Sequence, residues 1–130
     1  SILEGIAFTV KNHMDEMNRA LNTPLNHLII SGGGANSNVF MQIFADIFGV
    51  PTSRNQMKGS ASVGCVINAG MAVGAFDSYE EAVAKMVRKD DEFSPNQENT
   101  KFYNQLNDKV YRHVNQHFDP VLKALSLLVD

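Results

Sequence analysis

The chain has 130 residues, 44% of them hydrophobic and 19% charged, a balance that suits one folded domain and excludes a disordered segment. Its net charge of −3 argues against a nucleic-acid binder, and its single cysteine, Cys65, excludes an internal disulfide and a cysteine-built zinc site. No apolar run reaches the ~18 residues of a membrane span and no signal peptide opens the chain, so a cytoplasmic protein with neither membrane nor nucleic-acid partners is expected.

Ser1 to about Leu21 predicts an amphipathic helix. Ile2, Ile6, Val10, Met14, Met17 and Leu21 form its apolar stripe, with Lys11, Asp15, Glu16 and Arg19 on the other side. Asn22-Thr23-Pro24 stops it, because proline disfavours helix in the residue before it. His27-Leu28-Ile29-Ile30 has strand length, with His27 structural, and it runs into Ser31-Gly32-Gly33-Gly34. Asn36 or Ser37 is a good N-cap for a second helix, whose stripe of Val39, Phe40, Ile43, Phe44 and Ile47 ends at Gly49. Val50-Pro51-Thr52-Ser53 suits a short second strand, and Asn55 to Ser60 a polar loop.

Ala61 to Ala75 reads as a small-residue helix that packs closely against a neighbour, with Cys65 a small buried hydrophobe. Ser78 and Glu81 form a capping box that opens a helix carrying Ala82, Val83 and Met86. Arg88 to Thr100 reads as a linker or surface loop, its Asp90-Asp91-Glu92 run solvated. A last helix, from about Thr100 to Leu128, carries Phe102, Leu106, Val110, Val114 and Phe118, and Pro120 kinks or restarts it. Phe102, Tyr103, Leu106 and Val110 are assigned to the core. His113 and His117 share a helix face without a third ligand, which reads as a solvated pair and not as a metal site. Strands alternating with helices indicate an α/β fold, yet two strands cannot form an independent sheet, so the pattern fits part of a larger unit.

The stretch that carries chemistry is Gly32-Gly33-Gly34-Ala35-Asn36-Ser37-Asn38. A strand that ends in glycines and feeds a helix places backbone N–H groups and a positive helix terminus at one spot, which suits phosphate. Ser37 and Asn38 stand at the helix start, where a hydroxyl and an amide can hold a ribose or a purine edge. Three consecutive glycines match neither G-x-G-x-x-G nor the lysine-bearing P-loop, and a plain strand-to-helix turn is the competing reading.

At greater length, Ser31 through Pro51 (SGGGANSNVFMQIFADIFGVP) resembles the nucleotide-side segment of the FGGY family of carbohydrate kinases, approximately GGGAxSxxxxQxxADxxGxPV. Ala61 to Gly70 is similar to the E-x-x-A-x-G-x-A helix that follows it there, and Gly74-Ala75-Phe76-Asp77-Ser78 to that helix's usual end. Ile2-Leu3-Glu4-Gly5-Ile6-Ala7-Phe8 resembles the R-A-x-x-E-G-I-A-F stretch before it, so the likeness spans about Ile2 to Phe93. Gly59 stands where the family often has glutamate, and Val66 and Asn68 interrupt an alanine-rich helix.

The resemblance implies an α/β, partial ribonuclease H-like domain of the actin, Hsp70 and sugar kinase superfamily, helix-rich with few parallel strands. Residues 1–130 are then the C-terminal portion of the FGGY C-terminal domain. It implies binding of ATP with Mg²⁺ at Gly32, Gly33, Gly34, Ser37 and Asn38, and transfer of the γ-phosphate to a sugar or polyol hydroxyl. No catalytic residue and no metal ligand is assigned here, since the family's aspartate base, sugar-binding residues and first phosphate loop lie upstream of the segment matching Ser1. The 130 residues alone are expected to be inactive and, with a face left uncovered, to self-associate as a homo-oligomer. Asp46 falls in the family's A-D-I run and reads as structural. The rival readings are a non-catalytic α/β interaction module that keeps the glycine turn for packing, and an actin-like or Hsp70-like ATPase lobe.

Overall fold

Side-chain caps mark where four of the described helices begin. In the computed structural model, which describes residues 1–56 and 59–128, the Ser1 hydroxyl accepts from the Glu4 N–H, the Glu4 carboxylate accepts from the Ser1 nitrogen, and α1 spans Ile2–Leu21. Asn22, in the left-handed region at φ 50°, ends it. Strand β1 (Leu28–Ile30) leads through a short 3-10 turn (Gly33–Asn36) into α2 (Asn38–Phe48), and β2 (Thr52–Asn55) follows. Helices α3 (Ser60–Ala72) and α4 (Tyr79–Met86) come next; Ser78 accepts from the Glu81 N–H, as the capping box predicts.

Residues 88–100 are not a linker. They hold β3 (Lys89–Phe93) and the start of α5 (Gln97–Leu106), because Asn96 accepts from the N–H groups of Glu98 and Asn99 and so begins the helix early. The predicted last helix is continuous from α5 through a π turn (Asn107–Tyr111) into α6 (Arg112–Ser126), and α6 runs through Pro120. Of the predicted polar loop 55–60, Asn55 belongs to β2, while positions 57 and 58 lie outside the described residues.

The sheet has three strands in the order β1-β2-β3. β1 and β2 run parallel, with Leu28 beside Thr52 and Ile30 beside Arg54. β3 is antiparallel to β2, so the sheet is mixed and the run Asp90-Asp91-Glu92 is strand, not solvated loop. Strand pairing absorbs these charges because each finds a partner: Asp90 and Asp91 face Arg54, and Glu92 lies 3.4 Å from His27.

Helix α1 turns a different face inward from the one its apolar spacing predicts. Ala7 and Phe8 are buried, and of the predicted stripe Met14 packs against the core whereas Ile2, Ile6, Val10, Met17 and Leu21 are exposed. The inward face is partly polar, and its polar groups are matched across the interface. The Tyr103 hydroxyl donates to Glu4 at 2.9 Å, and the amides of Asn12 and Asn107 exchange hydrogen bonds at 3.1 and 2.8 Å. Lys11 pairs with Asp15 and lies over the Phe48 ring. Paired polar groups of this kind cost little to bury, so they can displace an apolar stripe from an interface.

Phe8 stacks on Tyr111 at 4.2 Å between centroids and meets Tyr103 edge-on at 5.8 Å. With Ala7, Phe44, Ile47 and Phe48 it forms the main core. The inward residues of the C-terminal helices are therefore Tyr103, Leu106 and Tyr111, while Phe102 and Val110, expected in the core, point to solvent. A second cluster joins Val63 and Ile67 of α3 to Ala82 of α4. The predicted close packing of α3 is visible at Gly70, where a Cβ would stand 2.4 Å from the Phe76 ring. Cys65 is exposed, not buried, because α3 turns Val63 and Ile67 toward α4 instead. Among the described residues no helix is long and apolar enough to cross a membrane.

Burial, and then the hydrogen bond to Glu4, push the Tyr103 hydroxyl up to about 12. Above the ordinary tyrosine value the unfolded chain releases this proton while the folded chain keeps it, so stability falls as pH rises from about 10 toward 12. Denaturation of Tyr103→Phe across that window is expected to show a shallower alkaline loss than wild type.

Candidate nucleotide-binding site

The site is built where two parallel strands end side by side. β1 ends at Ile30 and β2 at Asn55, with Ile30 beside Arg54, and in open α/β sheets that edge is where ligands bind. The chain leaves β1 through Ser31 and Gly32, the latter at φ 97° and ψ −172°, a conformation that only glycine adopts readily. Gly33–Asn36 then forms a 3-10 turn whose leading N–H groups the turn itself cannot pair. Ser37 caps α2 by accepting from the Phe40 N–H at 3.3 Å, and Asn38 is the first residue of that helix, exposed.

A cleft of about 160 Å³ opens at this edge, walled by Gly32, Ala35, Asn36, Arg54, Gln56 and Asp90 among others. The sequence-predicted residues therefore divide. Gly32 lines the cleft, while Gly33, Gly34, Ser37 and Asn38 do not line it and are exposed on the turn and the helix start.

The three glycines stand in different surroundings. Gly32 is fixed by its backbone angle. At Gly34 a Cβ would stand 2.8 Å from the Phe40 ring, so that glycine serves internal packing. At Gly33 a Cβ would meet nothing within 4 Å, and the backbone is not in the left-handed region. The fold leaves room for a side chain at Gly33 and uses none.

Asp46 is buried at 3% exposure, on α2. It accepts from the Asn96 N–H at 2.7 Å, from Asn99 Nδ2 at 2.8 Å and from Gln42 Nε2 at 2.8 Å. These bonds pin the start of α5 to α2, the structural role expected of it. His113 and His117 are exposed, and the His117 ring Nδ1 lies 2.8 Å from the His113 carbonyl oxygen. Gly59 caps α3 without a side-chain bond. Among the described residues no group of three His, Cys, Asp or Glu is placed to hold a metal ion.

Sequence reasoning missed Arg54 and its partners Asp90 and Asp91. The signal was present: a lone arginine at the carboxyl end of a strand that pairs in parallel with the glycine strand.

Residues 1–73 match the model of the FGGY family of carbohydrate kinases, C-terminal domain. The chain belongs to this family. To YgcE, an uncharacterized sugar kinase of Escherichia coli (strain K12), this FGGY chain is 44% identical over 123 residues, covering 95% of itself and 25% of that protein. Its fold matches the ligand-bound xylulose kinase of Lactobacillus acidophilus with a TM-score of 0.79 at 22% identity, over 91% of this chain and 24% of that one. It matches Plasmodium falciparum glycerol kinase, solved with ADP, with a TM-score of 0.69 at 27% identity, over 85% and 22% of the two chains. The FGGY chain thus spans about a quarter of the length of these relatives.

Replacing Asp46 by alanine leaves the donors of Asn96, Asn99 and Gln42 without their buried acceptor. Asp46→Ala is expected to lower the unfolding free energy by about 3 kcal/mol, read from urea denaturation.

Proposed function

We propose that residues 1–130 are the C-terminal portion of an FGGY kinase C-terminal domain, of the ribonuclease H-like superfamily, and carry the nucleotide half of its site. The complete enzyme transfers the γ-phosphate of MgATP to a hydroxyl of a sugar or polyol. In this reading the N–H groups of Gly32, Gly33 and Gly34 approach the nucleotide, and Ser37 and Asn38 flank its adenosine part at the start of α2. Ser37 already accepts from Phe40, and its hydroxyl hydrogen is left for a ligand. Bound MgATP supplies the transferable phosphoryl group and the divalent charge that offsets its oxygens. These residues bind and orient; the general base and the sugar contacts belong to other parts of the enzyme.

The observation that carries the reading is Gly33. Backbone angle explains Gly32 and packing explains Gly34, but nothing inside the fold calls for glycine between them. A ligand lying flat on the turn does, because it needs the space a side chain would take. The test is calorimetric titration with ATP and ADP on the longest natural form of this chain. Gly33→Val is expected to weaken binding by about tenfold or more while the melting temperature stays within about 2 °C of wild type. Unchanged affinity would leave the turn a packing device and the domain an interaction module.

The exposed stripe of Ile2, Ile6, Val10 and Met17 on α1 is, in the same reading, a face for further protein. The 130 residues by themselves are expected to scatter light as a species heavier than a monomer. A monodisperse monomer would contradict this.

A further inference from the structure

Arg54 ties the glycine turn to the third strand. Along β2 and β3 the register pairs Ser53 with Glu92 and Asn55 with Lys89, so Asp90 and Asp91 both stand opposite the single Arg54. In an unbroken strand consecutive side chains point to opposite faces, and only one of the two carboxylates could reach the arginine. A bulge lifts that restriction and re-aims side chains. Asp90 Oδ2 lies 3.7 Å from Arg54 Nε, and Asp91 accepts from Arg54 Nη2. The Phe93 ring centroid is 5.5 Å from the guanidinium carbon. The remaining arm, Nη1, donates to the carbonyl of Ala35 at 2.9 Å. Ala35 is the one buried residue of the 3-10 turn.

A guanidinium is planar and its donors are fixed relative to one another, so anchoring two of its nitrogens on β3 fixes the third on the turn. The charges matter too. Two carboxylates against one guanidinium leave the cluster net negative, which is unsuited to receiving a phosphate. Arg54 therefore does not serve as a phosphate ligand.

We propose that Arg54 is a positioning residue of the nucleotide site: its doubly anchored guanidinium holds the Ala35 carbonyl and so sets where the Gly32–Gly34 backbone meets the nucleotide. This rests on the nucleotide reading above. A bulge two strands away from the turn then governs the affinity of a ligand it does not touch.

The test is ATP titration by calorimetry on the longest natural form of the chain, well below the melting temperature and with folding checked by circular dichroism. Arg54→Lys and Arg54→Gln are each expected to weaken ATP binding by about tenfold, since neither side chain can span Ala35 and both aspartates. Asp90→Ala combined with Asp91→Ala leaves Arg54 in place and is also expected to weaken ATP binding. Adding it to Arg54→Gln is expected to cost nothing further, because the three residues act as one unit. A purely electrostatic role gives the opposite sign, as removing two carboxylates near a polyanion would tighten ATP binding; that result overturns the proposal. So does unchanged affinity in Arg54→Lys and Arg54→Gln alongside lost affinity in Gly33→Val. Absence of ATP binding by wild type overturns the nucleotide reading itself, and this inference with it.

Discussion

Helix α2 is buried along most of its length, with Met41, Phe44, Ala45, Asp46, Ile47 and Phe48 all shielded from water, and α1, α5, β2 and β3 are laid against it. It is the crossover between two parallel strands, so its two ends fix the two features that matter most. Its amino end sets the turn leaving β1, and its carboxyl end, at Gly49, sets the entry to β2. A helix so enclosed tolerates a charge only where the charge is fully paired. Asp46 meets that condition by holding the start of α5, and the same bonds bring Tyr103 and the π turn against Phe8.

Rigidity at the back of α2 bears on the front. The turn that faces the cleft moves only as far as Ser37, its own hydrogen bonds and the Arg54 contact allow. The direction of the turn's N–H groups is set by this backbone alone, because a backbone dipole cannot be re-aimed by a rotamer change. Two of the three glycines serve the turn's own geometry, and the third, Gly33, keeps its outer surface clear.

Much of this organisation was legible in the sequence because it is set by local rules. Caps at Ser37 and Ser78, the stop at Gly49 and the strand-to-glycine-to-helix succession all lie within a few residues of what causes them. The long Gly-to-Pro segment placed the chain in its family for the same reason. Burial was less legible. The stripe of α1 obeys helical spacing, yet the helix buries Phe8 beside Glu4, Lys11 and Asn12, since each of those polar groups has a partner on another helix. Phe102 and Val110 failed as core residues by the same rule: spacing says that a face is apolar, not which neighbour arrives to cover it.

The third strand shows the division most clearly. Lys-Asp-Asp-Glu-Phe has the composition of a solvated loop, and no local propensity makes it a strand. It becomes one because β2 presents an unpaired edge and because Arg54 offers two of its carboxylates a partner. The sequence by itself determined the helices, the glycine turn, the parallel crossover and the family, all of which follow from spacing, caps and backbone freedom along one stretch of chain. Only the tertiary structure decided which face of α1 is inside, that β3 exists, and that Arg54 reaches Ala35. Those depend on residues far apart in sequence meeting with complementary charge and shape, and pattern along a single strand of text does not encode such meetings.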